Sequence, residues 1–192
     1  KLNPGQTPVV AFDQPLFTVA KLIQWNWPQI YGEDHFVMMF GGLHIEMAAF
    51  KALGSWLEDS GWTSVLVNAQ VTSPGTADSF LKASHVTKTR RAHQVTACTL
   101  YRLLSNAYCQ YKDVLRDDEV TLEFEDWCFE RSKESPHFKF WYTTLRFELT
   151  VLIFIRSIRE ANFSLYIEAL SKIIPWFFAL DHTNYSRWLP IH

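Results

Sequence analysis

Residues 8–60 alternate between short apolar runs and amphipathic segments, and this alternation restricts the fold more than any other feature of the sequence. Residues 8–13 (Pro-Val-Val-Ala-Phe-Asp) and 35–40 (His-Phe-Val-Met-Met-Phe) have the length and the β-branched or aromatic content of buried strands. Each run is followed by a segment whose apolar residues recur at helical spacing. The order strand, helix, strand, helix predicts an α/β fold.

The two helices have recognisable starts. Pro15 fits the first turn of the first helix, where its missing N–H costs nothing. The apolar positions of that helix are Leu16, Val19, Ala20 and Ile23. The second helix follows the Gly41-Gly42 break and ends at about Gly61. The sheet is expected to hold two strands, or three if residues 64–67 extend it.

From about residue 73 the apolar periodicity is helical, and residues 116–119 form a predicted charged loop. The predicted fold class is therefore an α/β start followed by a mainly α-helical region, with helix dominating overall. Pro175 is expected to kink or break the last helix. The predicted helices cover residues 76–83, 89–111, 136–161 and 163–180. The predicted parts of the chain are an α/β core (1–72), a helical insertion (73–135) and C-terminal helices that pack back on the core (136–192).

Composition excludes several classes of protein. The 192 residues carry a net charge of −2, which argues against a strongly basic nucleic-acid module but not against a local basic patch. The longest apolar run, residues 149–155, is far shorter than a membrane span of about 20 residues. Three cysteines suit neither a disulfide framework nor a zinc ribbon, so a reduced, intracellular setting is expected. Because the chain begins with Lys1, we expect it to be a segment of a longer protein.

Two candidate site residues follow the predicted strands. Asp13 ends the first strand, at the edge of an α/β sheet where ligands and metals bind, although it could equally cap the following helix. His44 lies in the first turn after Gly41 and Gly42, where it could orient a carboxylate, bind a metal, or simply pack. The glycine spacing matches no phosphate-binding loop.

One basic cluster lies at the predicted start of the helix over residues 89–111. It comprises Lys88, Arg90, Arg91 and His93, with Lys82 and His85 just upstream. These side chains could contact a phosphate backbone, or could form a solvated helix start. Cations at a helix N-terminus are unfavourable, so a bound phosphate is one way to compensate them.

Three further groups of residues are candidates. Glu148 interrupts an apolar helical stretch, which is costly unless the carboxylate is paired or binds a metal, and Arg156 lies two turns away as a possible partner. Asp181 and His182 suggest a catalytic pair but are also explained by capping and packing. The cysteines are expected to be small core residues: Cys98, Cys109 and Cys128.

Several segments together resemble an uncharacterised, multicopy family of animal genomes that is itself similar to transposon-derived proteins. These segments are residues 12–15, 40–47, 75–80, 87–93 and 175–188. The chain is also distantly similar to RNase H-like transposases of the hAT type. In those enzymes a strand ends in an acid, a helix follows, the next strand leads to a His, and a helical insertion precedes a late Glu.

The resemblance implies a partial RNase H-like sheet, a divalent metal (Mg²⁺ or Mn²⁺), DNA as partner and a nuclear location. It assigns Asp13, Glu148 and His44 as catalytic residues, with Asp13 and Glu148 as the metal ligands, His44 as the His after the second strand, and Glu160 as the alternative late Glu. Three functional hypotheses follow. They are a fragment of a metal-dependent DNA-cleaving or strand-transferring enzyme, an inactive interaction protein derived from a mobile element whose aromatic surface binds proteins, and a metal-independent hydrolase using Asp181 and His182.

Overall fold

A computed structural model describes residues 5–115 and 120–192, so the predicted charged loop at 116–119 lies outside the described residues. A short α/β unit begins the chain and helices make up the rest, which confirms the predicted fold class. The elements in chain order are β1 (Val9–Phe12), α1 (Gln14–Asn26), α2 (Pro28–Tyr31), β2 (Val37–Phe40), α3 (Gly42–Leu57), α4 (Trp62–Asn68), α5 (Pro74–Leu81), α6 (Val86–Val114), α7 (Phe124–Glu134), α8 (Pro136–Arg159), α9 (Phe163–Ala179), α10 (Thr183–Trp188) and a final 3₁₀ turn (Leu189–Ile191).

β1 and β2 pair in parallel, with Val9 opposite Val37 and Phe12 opposite Phe40. Parallel pairing needs a crossover connection, and α1 supplies it. Among the described residues the sheet has these two strands alone. The possible third strand at residues 64–67 is wrong, because this segment is part of α4. Trp62 and Leu66, one helical turn apart, are buried on one face of this helix.

α8 is the central helix and packs against α3, α6, α7 and α9. The main core joins both ends of the chain, since Phe17 and Phe40 are buried in the same cluster as Phe154 and Phe177. Two smaller clusters lie around Trp62 and around Trp127. α9 continues through Pro175, so the predicted kink or break does not end this helix.

Two expectations about buried side chains need correction. Cys128 is buried as predicted, but Cys98 and Cys109 are exposed on α6, so their assignment to the core is wrong. The predicted partner of Glu148, Arg156, instead forms an ion pair of 2.8 Å with Glu160, four residues away on the helix surface.

In the part of the chain that the structure describes, no helix combines the length and hydrophobicity needed to cross a bilayer.

Candidate functional site

Asp13 lies immediately after β1 and caps α1. Its Oδ1 accepts a hydrogen bond of 3.1 Å from the backbone N–H of Leu16, which satisfies one of the free donors in the first turn. The capping interpretation of Asp13 is therefore realised. The same position places the carboxylate at the carboxyl edge of the parallel sheet, as the metal-ligand prediction requires.

His44 lies at this edge too. The N–H of Gly41 donates a 2.7 Å hydrogen bond to the carbonyl of Phe12, so the turn after β2 adjoins the end of β1. A Cβ added to Gly41 would lie 3.0 Å from Cδ2 of His44 and 3.3 Å from that carbonyl oxygen. The absence of a side chain at Gly41 therefore lets the imidazole lie close to the end of β1.

Tyr185 joins the carboxyl edge from α10, a contact that the sequence did not indicate. Its hydroxyl donates a 3.3 Å hydrogen bond to the backbone carbonyl of His44. Burial, and secondarily the negative charge of Asp13, raise the pKa of Tyr185. The carboxyl edge of the sheet thus carries one carboxylate, one imidazole and one phenol. Across residues 5–115 and 120–192, no group of three or more His, Cys, Asp or Glu side chains is placed to share a metal ion.

Glu148 is not at this edge but in the core, paired with His93. Its Oε1 lies 2.8 Å from His93 Nδ1, and both side chains have no exposed surface. The imidazole is stacked between the rings of Phe50 and Trp62, with centroid distances of 4.9 and 4.8 Å. Burial raises the pKa of Glu148, and the His93 interaction opposes this increase only in part.

The buried pair changes two predicted roles. His93 as a DNA contact is wrong, because a fully buried ring cannot reach a phosphate backbone. The carboxylate expected to share a metal with Asp13 is instead hydrogen-bonded to His93 inside the protein. The apolar spacing around Glu148 predicted only that it needs a partner, and that partner comes from α6 through the tertiary fold.

The remaining basic residues divide into two groups. Arg90 donates two hydrogen bonds, of 2.7 and 2.9 Å, to the nearly buried carboxylate of Glu46, so its charge is already matched within the protein. Lys82, Lys88 and Arg91 are exposed, and among the described residues they have no ion-pair partner. These three side chains remain available to a phosphate.

Asp181 and His182 line an open cleft of about 420 Å³ together with Lys51 and Lys82. Burial lowers the pKa of His182, the nearby Lys51 lowers it further, and Asp181 raises it. The predicted hydrolase pair therefore borders one cleft, with Asp181 exposed and His182 partly buried.

The two edges of the sheet differ in how their backbone groups are used. The N–H groups of Val37 and Gly41 donate to Pro8 and Phe12, which fixes the backbone groups that point between the strands. On the outer edge of β2, Gln24 Nε2 donates to the Phe36 carbonyl at 2.9 Å.

At the other end of the same edge, the Phe40 N–H donates to His192 Nδ1 at 3.4 Å, and the second nitrogen of that ring lies 2.6 Å from the hydroxyl of Tyr166. Side chains therefore hydrogen-bond both ends of the outer edge of β2. The outward groups of β1 belong to Val9 and Ala11, and no described residue hydrogen-bonds them.

An apolar groove of about 710 Å³ lies between the sheet and the first two helices. Its lining residues are Phe12, Leu16, Val19, Ala20, Ile23, Trp27, Ile30, Tyr31 and Met38, and we call it the N-terminal groove. The apolar stripe that the sequence indicated for α1 is thus largely exposed, since Leu16 and Val19 are 57% and 52% accessible. The side of α1 that faces the core buries Phe17, Lys21 and Gln24.

The sequence reasoning did not identify this groove. Its only signal was the density of aromatic residues over 25–31, where Trp25, Trp27 and Tyr31 all remain exposed. Contiguous apolar surface of this kind marks a binding site more often than a free surface.

Comparisons with known proteins identify a family but no relative of known function. No curated protein and no solved structure matches the chain. One family matches it over residues 3–121 and 106–192, which together span nearly the whole sequence. The chain therefore belongs to the family described as a domain of unknown function (DUF8702).

Proposed function

We propose that this chain is a non-enzymatic interaction protein that binds a segment of a partner polypeptide in the N-terminal groove. The observation that carries the proposal is the outward-facing apolar stripe of α1. Leu16, Val19 and Ile23 are at least one-third exposed, although burying such side chains is favourable by about 1.5–3 kcal/mol each.

The surroundings of the groove support polypeptide as the ligand. Exposed aromatic residues border it, and Trp27 and Tyr31 are 53% and 40% accessible. Aromatic residues are enriched in protein–protein interfaces because they bury large areas at low entropic cost. The lining carries no charged side chain, which disfavours nucleic acid and other polyanions as its occupant.

The Glu148–His93 pair favours a binding role over a catalytic one. A shared metal site needs carboxylates that meet at a surface open to substrate, whereas Glu148 is fully buried and hydrogen-bonded to His93.

A library of random twelve-residue peptides displayed on phage tests the proposal. We expect enriched clones that bind the chain and lose binding to the double variant Leu16→Glu/Val19→Glu, because two carboxylates would then line the groove. The control is Leu103→Glu, which adds a carboxylate at an equally exposed leucine on α6. Absence of enriched clones, or equal loss in the control, would contradict the proposal.

A metal-dependent nuclease derived from a mobile element is a second proposal, because Asp13 and His44 adjoin the same carboxyl edge of a parallel sheet. Lys82, Lys88 and Arg91 would then contact DNA, and the protein would act in the nucleus with Mg²⁺ or Mn²⁺. Isothermal titration of Mn²⁺ checks this function: binding should be lost in Asp13→Asn and retained in the exposed control Asp34→Asn. No binding to the unaltered chain would exclude the nuclease.

A further inference from the structure

The open edge of β1 and the N-terminal groove are parts of one surface. α10 and His192 lie at the outer edge of β2, and α1 contacts α10 through the stacked rings of Trp25 and Trp188. The opposite side of α1 carries Leu16 and Val19, which line the N-terminal groove together with Phe12 of β1. This side of α1 therefore lies above the β1 side of the sheet.

The backbone of β1 presents hydrogen-bonding groups along this surface. Because the Pro8 and Phe12 carbonyls face β2, the N–H and C=O groups of Val9 and Ala11 face away from it. Four polar groups thus point toward the space beside the groove. In the described ranges nothing pairs with them, whereas Gln24 and His192 bond to the corresponding edge of β2.

We propose that an extended segment of a partner polypeptide adds to the free edge of β1 as a third strand and places its apolar side chains in the N-terminal groove. This inference rests on the proposed function and specifies how the partner binds. A helix in the groove would satisfy the apolar lining but would leave the Val9 and Ala11 groups without protein partners, whereas an added strand satisfies both.

The two faces of the sheet specify the pattern of the partner. Side chains that leave the new strand on the α1 side enter the groove beneath Leu16 and Val19. Those on the other face lie beside Val9 and Ala11, which are exposed. The expected ligand therefore alternates apolar and polar residues over about five positions, the length that four residues of β1 can pair.

The experiment uses the peptides that the displayed library yields against the whole chain. Enriched sequences should show apolar residues at every second position, and peptide binding should slow hydrogen exchange at the Val9 and Ala11 amides. Ala11→Pro removes one outward N–H without affecting the groups that face β2, and should weaken binding about tenfold. Ala11→Ser keeps that N–H and serves as the matched control.

Failure of strand addition can be distinguished from failure of the proposed groove function. Peptides with apolar residues at helical spacing, or peptides that bind Ala11→Pro as tightly as Ala11→Ser, would overturn strand addition while leaving the proposed groove function intact. No enriched peptide would overturn both. If Ala11→Pro fails to fold, peptides N-methylated at alternate amides replace it, and their unreduced binding to the unaltered chain would overturn strand addition.

Discussion

At the scale of single residues, the His93–Glu148 pair is the feature that departs furthest from an ordinary core. Two ionisable side chains are fully buried, and among the described residues His93 Nε2 and Glu148 Oε2 have no hydrogen-bond partner. The direct hydrogen bond between His93 Nδ1 and Glu148 Oε1 satisfies one polar atom of each side chain, and stacking between Phe50 and Trp62 holds the imidazole in position.

The buried carboxyl predicts a pH dependence of stability. Burial raises the folded-state pKa of Glu148, so the folded protein retains a proton that the unfolded chain releases above about pH 4.5. The stability contributed by protonated Glu148 is complete below pH 4.5 and is lost as the pH rises toward the folded-state pKa. The loss has a slope of at most about 1.4 kcal/mol per pH unit.

Urea unfolding at a series of pH values above 4.5 measures this effect. Glu148→Gln keeps the shape of the side chain but cannot titrate, so the fall in unfolding free energy with pH should be smaller than in the unaltered chain. Glu160→Gln, which changes a surface carboxylate on the same helix, should leave that slope unchanged. An identical slope in the unaltered chain and in Glu148→Gln would refute the assignment.

At the scale of secondary-structure elements, the close contact between α3 and α5 depends on a glycine. A Cβ on Gly54 would collide with the carbonyl oxygen of Leu81, the last residue of α5. Because the obstacle is backbone rather than a flexible side chain, one helix must move to accommodate it.

Gly54→Ala should therefore lower the free energy of unfolding by about 1–3 kcal/mol, despite the higher helix propensity of alanine. Gly75→Ala is the control, since a Cβ there meets nothing within 4 Å and the variant should be as stable as the unaltered chain or slightly more stable. Chemical denaturation compares the two variants directly. Equal stability of both would mean that the two helices separate without cost.

The sequence predicted the positions of the helices and strands better than the tertiary contacts that each of them makes. Apolar runs and Gly41-Gly42 located both strands and α3, because these signals are local. Helix α1 was also located, but the face it buries was not, since Lys21 and Gln24 become buried through contacts with Glu33 and with the Tyr31 and Phe36 carbonyls. Residues 64–67 were misassigned because a short apolar run has no periodicity to separate helix from strand.

In the candidate site, too, local sequence signals were predictable and contacts made by the tertiary fold were not. The positions of Asp13 and His44 were predictable, since each follows a strand of the same parallel sheet, while their role as site residues stays a prediction. Tyr185, 141 residues from His44, reaches the edge only through the packing of α10, and no local pattern encodes that contact. Likewise, His93 could not be recognised as the partner of Glu148, because 55 residues separate them.

At the scale of the whole molecule, the two ends of the chain meet at the sheet. Phe17 and Phe40 form T-shaped contacts with His192, and Tyr166 of α9 positions the same ring. The C-terminal region thus contacts one edge of an N-terminal sheet, whereas no residue of the described ranges pairs with the outward groups of Val9 and Ala11 on the other edge. The proposed strand addition depends on this difference between the two edges.

Removal of the His192 ring tests that asymmetry. In His192→Ala the Phe40 amide loses its acceptor, so its hydrogen exchange should accelerate about fivefold to tenfold, while exchange at Val9 and Ala11 stays as it is in the unaltered chain.

The same contact predicts a dependence on pH. Burial and the nearby charge of Lys21 lower the folded-state pKa of His192, so its contribution to stability is present above about pH 6.5 and is lost as the pH falls toward the folded-state pKa. The Phe40 amide should therefore also exchange faster, relative to its intrinsic rate, when the unaltered chain is brought below pH 6.5. His85→Ala, which removes an exposed ring, should change neither rate. Unchanged exchange at Phe40 in His192→Ala would mean that packing, and not the hydrogen bond to His192, protects this edge.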